Sequence, residues 1–348
     1  MTRKLIQTMA LNSSLTDFVT ALDLGDDTGA HVIGAAFLDG VPTLALGNGR
    51  ARLWHEGGSL AIDAHPDGSV LCYALMPGKL VTGGDDGRIV VIAANGSSHG
   101  IADEKGTWID AVAARADGTI AWACGRNLRA RDRDGVVKST SLASVARGVA
   151  FLPKGYRIAA SQYNGVALWF PNAAAAPDVL PWKGAHIDVT LSPDGRFVVT
   201  SMQENALHGW RIDDRKDMRM SGYPAKTRSL SWSGDGQWLA TSGAEACIVW
   251  PFQGRDGPMG KAPRECGVRP AKVTCVAFHP KALVVAIGYE DGWIMMCRLT
   301  DAAELLVRAR HSGDAEGAIT ALAWETTGSR LLYGTAQGEA GVLVLPKA

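Results

Sequence analysis

The sequence lacks the features by which several classes of protein are recognised. Lys and Arg together number 35, as do Asp and Glu, so the formal net charge is zero. Chains that bind nucleic acid usually carry an excess of positive charge, so this composition argues against a nucleic-acid partner. No apolar run approaches the roughly 20 residues that a membrane-spanning helix needs. The apolar run in residues 1–11 is short and is broken by Gln7, so it predicts no secretory signal peptide.

Cysteine is scarce and shows no paired spacing. The six cysteines form no Cys-x-x-Cys pair, and five of them fall within predicted strands, where a free thiol behaves as a small apolar side chain. A disulfide framework is unusual at this chain length and cysteine density. We therefore expect reduced thiols and a cytoplasmic location.

Several catalytic and cofactor-binding motifs are also missing. The sequence has no His-x-x-x-His and no glycine-rich loop of the phosphate-binding or dinucleotide-binding type. No window shows a long helical period, so the chain is predicted to be all-β. We expect no catalytic residue, no metal and no cofactor.

What the sequence does contain is a turn signal that recurs along most of its length. A turn-forming pair, usually ending in Gly, stands between two short apolar runs and returns every 37 to 47 residues. A period of about 20–50 residues marks an array of small supersecondary units that bury their apolar faces against each other. The turns are Asp39-Gly40, Pro77-Gly78, Asp117-Gly118, Lys154-Gly155, Asp194-Gly195, Asp235-Gly236, the degenerate His279-Pro280-Lys281, and Thr327-Gly328.

Each unit reads as three short strands followed by a looser segment. The strands are rich in Val, Ile, Leu, Trp and Thr, and Gly, Asp, Asn or Pro bounds them. Asn-Gly or Asp-Gly between two such runs is a strong hairpin signal because tight hairpins need positive φ. A large side chain near the end of the third strand, suited to packing between units, recurs at Trp54, Trp169, Trp210 and Trp250.

Four stretches carry a resemblance to a known family: Leu80–Ile89, Leu191–Gly195, Ser231–Gly243 and Val276–Pro280. Through them, and through the repeat over roughly residues 30–346, the chain resembles the WD-repeat β-propellers. The Gly-His and Trp-Asp pairs of that family are absent, although Gly184-Ala185-His186 comes near the first. Most units therefore lack the residues of the family's internal Asp–His–Ser/Thr hydrogen-bond network.

The resemblance implies a propeller of four-stranded antiparallel blades, which we predict as a single domain over residues 1–348. The looser segments supply seven outer strands for eight units, so an N-terminal closing strand in residues 16–25 is predicted to complete the last blade and remove its open edge. Residues 1–15 are predicted to be a flexible tail. We therefore predict eight blades, with seven as the alternative. The eight units start near His31, Ser69, Trp108, Val145, His186, Thr227, Val273 and Ile319.

Aromatic and cationic side chains recur where the innermost strands begin. Aromatic residues and Arg are enriched at interaction hot spots. The family resemblance implies that this face, around a central channel, receives peptides or acidic segments of partner proteins. The predicted partner-binding residues are Trp108, Arg147, His186, Lys226, Arg228, Arg269 and Lys272.

Two functions are compatible with this pattern. The first is a non-catalytic protein-interaction scaffold, or subunit of a cytoplasmic complex, that binds a protein or peptide on the channel face. The alternative is a propeller-type hydrolase or lactonase with a metal in the channel, which requires Asp, Glu, Asn or His on most inner strands. The aligned inner-strand residues favour the scaffold because they are largely apolar or small: Ile33, Leu71, Ala111, Gly148, Asp188, Ser229, Cys275 and Ala321.

Overall fold

The structure is a computed structural model that describes residues 14–309 and 317–346. In this part of the chain the regular structure is β-strand, apart from two single-turn 3-10 helices at Thr16–Phe18 and Gly25–Asp27. No helix here is long and apolar enough to cross a membrane. In chain order the strands are β1 (Val19–Leu22), β2 (Val32–Leu38), β3 (Val41–Leu46), β4 (Arg50–His55), β5 (Gly58–Asp63), β6 (Val70–Met76), β7 (Lys79–Gly84), β8 (Arg88–Ala93), β9 (Ser98–Asp103), β10 (Ala111–Ala114), β11 (Ile120–Cys124), β12 (Asn127–Arg131), β13 (Val137–Ser141), β14 (Val149–Phe151), β15 (Ile158–Trp169), β16 (Asp178–Leu191), β17 (Phe197–Met202), β18 (Leu207–Arg211), β19 (Asp217–Met220), β20 (Leu230–Trp232), β21 (Trp238–Thr241), β22 (Cys247–Pro251), β23 (Arg264–Cys266), β24 (Val273–Phe278), β25 (Val284–Tyr289), β26 (Ile294–Arg298), β27 (Glu304–Arg308), β28 (Ile319–Trp324), β29 (Arg330–Thr335) and β30 (Ala340–Val344).

These strands pair with their sequence neighbours to form a propeller of antiparallel blades. Six sheets have four strands and one has six: β2–β5, β6–β9, β10–β13, β14–β19, β20–β23, β24–β27, and β28–β30 with β1. Counting each hydrogen-bonded sheet as one blade, the described residues form seven blades. This is the alternative count, and the main prediction of eight separate blades is not supported.

The difference arises where the fourth and fifth sequence units meet. The sequence predicts a turn at Asn164-Gly165 between the second and third strands of the fourth unit, and both residues do have positive φ, 64° and 142°. However, β15 and β16 continue through this region and pair with each other, Tyr163 opposite Ala185 and Gly165 opposite Pro181. The same β16 then pairs with β17, so it joins the two units into the six-stranded sheet. All eight sequence units therefore supply strands, but they share seven sheets.

The predicted N-terminal closing strand is confirmed. All four residues of β1 pair antiparallel with β30, so that β1 supplies the fourth strand of the last sheet. Residues 1–13 of the predicted tail lie outside the described part of the chain. Within it, Leu15 is fully buried, and its N–H donates to the carbonyl of Leu306 over 2.7 Å.

The chain divides into two compact units. Of the described residues, the first unit comprises 14–44, 54–59, 223–309 and 317–346, and the second comprises 45–53 and 60–222. Each has its own apolar core of inward-facing strand residues. In the first unit one core cluster includes Leu15, Val284, Ile294, Ile319 and Leu331. In the second unit one core cluster includes Val81, Ile89, Ile109, Val112 and Trp122.

A glycine near the end of the second strand of a sheet allows the chain that leads into the next sheet to approach that strand closely. A Cβ atom at Gly83 would lie 2.5 Å from Cγ2 of Ile109, and one at Gly288 would lie 2.5 Å from Cγ2 of Ile319. Carbon atoms that are not bonded pack at about 3.5–4.0 Å, so neither site accepts a methyl group without movement of the neighbouring chain.

We expect Gly83→Ala to lower the free energy of unfolding by about 2 kcal/mol, because the added methyl overpacks against Ile109 and Cys72. Gly100→Ala is the matched control, since Gly100 lies in β9 of the same sheet and a Cβ there meets nothing within 4 Å. Chemical denaturation of both variants measures the difference. Equal losses of stability in the two variants would contradict the packing argument.

Candidate functional site

The candidate site is built from loops at one end of the strands in the second unit. In an antiparallel meander, the connection from the second to the third strand lies at the same end as the connection from the fourth strand to the next sheet. In the six-stranded sheet, β15 and β16 are not interrupted at this end. The equivalent positions there are the paired residues around the Asn164-Gly165 turn. The segments at this end are residues 104–110, 125–126, 142–148, 163–164 and 182–185.

Hydrogen bonds tie each of these segments to the next. Such bonds fix the loops relative to one another, so the side chains that they carry form a continuous surface rather than independent loop tips. The bonds run from Gly125 N–H to Asp110 Oδ2 (2.7 Å), from Ala146 N–H to the Gly125 carbonyl (3.1 Å), from Tyr163 N–H to Ser144 Oγ (2.8 Å), and from Gly184 N–H to Asn164 Oδ1 (3.1 Å).

Large apolar and cationic side chains project from these loops. Trp108 is 62% exposed, Tyr163 57% and Val145 44%. Three exposed cations accompany them, and we call the six residues together the loop surface: Trp108, Arg126, Val145, Arg147, Tyr163 and Lys183.

The cations of the loop surface are largely uncompensated. Within residues 14–309 and 317–346, neither Arg147 nor Lys183 forms an ion pair. Arg126 uses its Nε–H to bond the carbonyl of Leu142 over 3.0 Å, which fixes the guanidinium without neutralising it. The nearby carboxylate of Glu204 accepts a hydrogen bond from the backbone of residue 185. The surface therefore combines aromatic area with positive charge.

Two of the seven residues predicted from sequence, Trp108 and Arg147, belong to the loop surface. His186 does not, because the structure places it inside the protein. Its Nδ1 lies 2.7 Å from Thr200 Oγ1, and its Nε2 lies 3.1 Å from the carbonyl of Trp182. Burial lowers the pKa of His186. We therefore reassign His186 from the partner-binding surface to the internal hydrogen bonds of the sheet.

The other four predicted residues lie in the first unit. Arg228 and Lys272 are exposed and Lys226 is half-buried. Arg269 is engaged in packing, since its Nη2 lies 2.7 Å from Asp291 Oδ2 and its guanidinium lies 3.8 Å from the ring centre of Trp293. The partner-binding role of these four residues stays a prediction, with Arg269 the least available of them.

Sequence reasoning missed Tyr163 as a candidate site residue. The sequence did offer one signal for Tyr163. This residue stands directly before the Asn164-Gly165 turn, where side chains project outward. Tyr163 and Asn164 line one side of a cleft of about 350 Å³, and Pro181, Trp182 and Lys183 line the other. The loop surface therefore includes a concave part next to its exposed aromatic groups.

A buried histidine supports the floor of this cleft. The ring of Trp182 stacks on that of His208, with centroids 3.8 Å apart and planes 14° from parallel. His208 is fully buried, and burial lowers its pKa to about 3, with further contributions from His186 and Arg219. The imidazole is therefore neutral near pH 7 and packs as an aromatic ring.

The second sheet contains an internal hydrogen-bond network that the sequence pattern did not reveal. His65 is fully buried, with Nδ1 3.0 Å from Asp86 Oδ1 and Nε2 2.9 Å from Thr82 Oγ1. The carboxylate can only accept, so Nδ1–H donates to Asp86 and Nε2 accepts from Thr82. This is an Asp–His–Thr network of the kind that the WD-repeat resemblance implies, although no Gly stands directly before His65.

In the sixth sequence unit a tyrosine makes a similar network. Trp250 Nε1–H donates to Tyr223 Oη (2.6 Å), which in turn bonds Thr241 Oγ1 (2.7 Å). The WD40 family described as "WD domain, G-beta repeat" matches residues 218–250, which contain all three side chains. This match covers one repeat, and together with the antiparallel sheets described above it supports a WD-repeat β-propeller.

Two further comparisons agree with this. The propeller is 32% identical over 119 residues to "U3 small nucleolar RNA-associated protein 12" of Saccharomyces cerevisiae, a match that covers 32% of this chain and 12% of that protein's length. Its structure is similar to that of the computationally designed Ika8 protein, with a TM-score of 0.75 and 16% identity, over 93% of this chain and 98% of the designed one. The second likeness concerns the fold alone.

The alternative of a metal-dependent hydrolase needs a cluster of ligands. Metal sites of this kind bring three or four His, Cys or carboxylate side chains to one point. In the described part of the propeller, no group of three or more such side chains is arranged to hold a metal ion. The inner-strand carboxyl group of Asp188 has its pKa raised by burial, and its Oδ1 accepts a hydrogen bond from the N–H of Val189.

Proposed function

We propose that this propeller is a non-catalytic protein-interaction scaffold, and that its loop surface binds an acidic segment of a partner protein. One observation carries the proposal. Exposed Trp108 and Tyr163 stand beside Arg147 and Lys183, which have no ion-pair partners among the described residues, on loops held together by hydrogen bonds. WD40 propellers generally bind protein partners, which supports the same function.

The physical argument has three parts. Aromatic rings supply large contact areas with few rotatable bonds, and they are enriched among residues that dominate binding energy. Uncompensated cations attract an acidic segment and increase its rate of association. Loops that are already fixed lose little conformational entropy when the partner binds.

A nucleic acid is the competing partner, because the loop surface is cationic. The balance of charges over the whole chain supports a protein partner instead, since 35 basic residues face 35 acidic ones. We also propose a cytoplasmic location for this scaffold. The six cysteines are all free, which fits a reducing compartment.

The test uses charge reversal on the loop surface. We expect Arg147→Glu with Lys183→Glu to weaken capture of acidic peptides from an array by about tenfold or more, which is about 1.4 kcal/mol of binding free energy. Binding by the unmodified protein should also fall as salt is raised, because screening weakens the attraction. Trp108→Ala with Tyr163→Ala should weaken capture without altering this salt dependence.

The matched control carries Arg133→Glu and Lys154→Glu. Both residues are exposed and lie in the second unit, in connections at the opposite strand ends. The control should bind like the unmodified protein, and all variants should melt at the same temperature. Equal losses in the control and the loop variants would refute the proposed surface. Stronger capture of single-stranded RNA than of acidic peptides would favour a nucleic acid.

A further inference from the structure

The cleft beside the loop surface arises where β16 has more residues than the strand it pairs with. Between two paired positions of β15 and β16, one residue of β15, Asn164, stands opposite three residues of β16, 182–184. Extra residues in one strand of an antiparallel pair bend that strand and re-aim its side chains. The bent segment carries Trp182 and Lys183, which line the cleft of about 350 Å³ together with Tyr163.

The aromatic walls of the cleft are held in place by contacts within the protein. The indole of Trp182 stacks on the buried ring of His208, which covers one face of the indole and leaves the other face available. The carbonyl of Trp182 lies 3.1 Å from His186 Nε2. On the other strand, the N–H of Tyr163 donates to Ser144 Oγ over 2.8 Å. The cleft is therefore formed before a partner arrives, and a rigid ligand loses little conformational entropy on docking.

The free polar groups of the cleft can all donate hydrogen bonds. The indole Nε1–H of Trp182, the hydroxyl of Tyr163 and the side-chain NH₂ of Asn164 bond to no other residue in the described part of the chain. Asn164 supplies the one side-chain carbonyl among the five lining residues, and this oxygen already accepts from the N–H of Gly184. A ligand that fits must therefore bring acceptors and few donors, because a buried donor without a partner costs free energy.

A proline-containing segment has this chemistry. Proline has no backbone N–H, so a stretch that contains several prolines offers carbonyl oxygens with few donors. In the polyproline II conformation the backbone makes no internal hydrogen bonds, and such segments dock on grooves lined by aromatic side chains. An aromatic cleft also suits a cation. Lys183 disfavours a cation here, because its ammonium group lines the cleft and forms no ion pair within residues 14–309 and 317–346.

We propose that this cleft binds a proline-containing stretch of the acidic partner segment in the polyproline II conformation, with a proline ring packed between Trp182 and Tyr163. The inference rests on the proposed scaffold function and names the class of segment that its surface recognises. Trp182 Nε1–H and the Tyr163 hydroxyl donate to carbonyl groups beside that proline. Lys183 attracts a carboxylate next to the stretch, so the charge of the surface and the shape of the cleft select the same segment.

The test compares the affinities of the full-length protein for synthetic peptides of equal length, measured by fluorescence anisotropy. One peptide is acidic and contains prolines, and a second has alanine in place of every proline. A third and a fourth repeat these sequences with glutamine in place of every acidic residue. We expect the acidic proline peptide to bind at least about tenfold more tightly than the acidic alanine peptide.

Variants of the cleft identify the groups responsible. Tyr163→Phe and Trp182→Phe each remove one donor and keep an aromatic ring, so each should reduce the preference for proline by about threefold. Trp108→Ala is the matched control, since Trp108 belongs to the loop surface and does not line the cleft. It should weaken binding of both acidic peptides by the same factor and leave the preference unchanged. A melting curve for each variant checks that it is folded.

The outcomes separate this inference from the scaffold proposal. Equal affinity for the acidic proline and acidic alanine peptides would overturn the inference and leave the scaffold proposal standing. A neutral proline peptide that bound as tightly as the acidic one would support the cleft and refute the acidic partner. Displacement of the proline peptide by single-stranded RNA of higher affinity would overturn the inference in favour of a base stacked on Trp182. A loss of proline preference in Trp108→Ala, with none in the two cleft variants, would place the proline elsewhere and also overturn it.

Discussion

Replacement of Asp86 by Ala is expected to lower the free energy of unfolding by about 3 kcal/mol. The change removes the acceptor for the buried His65 Nδ1–H and for the N–H of Arg88, which also bonds Asp86 Oδ1. A buried donor that loses its partner costs about 1–3 kcal/mol, and the lost turn bond adds to this. Denaturant titration near pH 7 measures the effect.

Two further variants show whether the network itself is responsible. Asp86→Asn keeps a carbonyl oxygen that can accept from Nδ1–H, so it should lose less stability than Asp86→Ala. Asp67→Ala is the control, since Asp67 is exposed in the same connection as His65 and has no hydrogen bond to another described residue. If Asp67→Ala were as damaging as Asp86→Ala, the loss would reflect the loop and not the network.

The strands of this fold are predictable because their signals are local. Turn pairs such as Asp39-Gly40 need positive φ at one or both residues, and both residues here have it, 48° and 85°. The predicted closing strand combines a local signal, an apolar run near the N-terminus, with a count that leaves the last unit without an outer strand. Its pairing with β30 involves only backbone groups and therefore needs no special residue in β1.

The number of sheets cannot be predicted from local sequence signals. Whether units four and five separate depends on how far β15 and β16 pair around the Asn164-Gly165 turn, where the Gly184 N–H also donates to Asn164 Oδ1. The turn residues themselves are as predicted. A turn signal thus locates a change of direction, but it does not show whether the strands beyond it remain paired.

The candidate site was predictable only in part for a similar reason. Trp108 and Arg147 follow from residue type and position. His186 is instead buried with hydrogen bonds to Thr200 Oγ1 and to the carbonyl of Trp182, which its residue type does not indicate. The Asp86 network was missed because the family pattern places a Gly before the His. The network requires only that the imidazole of His65 reach Asp86 and Thr82, and the backbone position of His65 allows this.

Mild acid is expected to destabilise the propeller through His208. Its pKa is lowered to about 3 in the folded state, first by burial and then by His186 and Arg219, while an unfolded histidine has a pKa near 6.5. Asp217 Oδ2 lies 3.6 Å from Nε2, too far for a hydrogen bond that would stabilise the imidazolium. Below pH of about 6.5 the unfolded chain therefore binds a proton that the folded chain excludes. Stability is fully present above that pH and falls as the pH decreases towards 3.

The size of this effect follows from linkage. Between pH 7.5 and 5, exclusion of one proton costs about 2 kcal/mol. His186 and His279, whose pKa values are also lowered by burial, change stability in the same direction, so the total loss should be larger. The window ends at pH 5 because carboxyl groups with lowered pKa, such as Glu325 at about 2, begin to contribute below it.

His208→Phe isolates the contribution of His208. A phenyl ring can keep the stack on Trp182 and the edge contact with Trp210, and it has no proton to gain. Urea titrations at pH 7.5 and pH 5 should show that the variant loses about 2 kcal/mol less stability than the unmodified protein over this range. Identical losses in the two proteins would show that His208 is protonated in the folded state as easily as in the unfolded one. In that case the packing of Trp182 over a neutral imidazole would not describe the floor of the cleft.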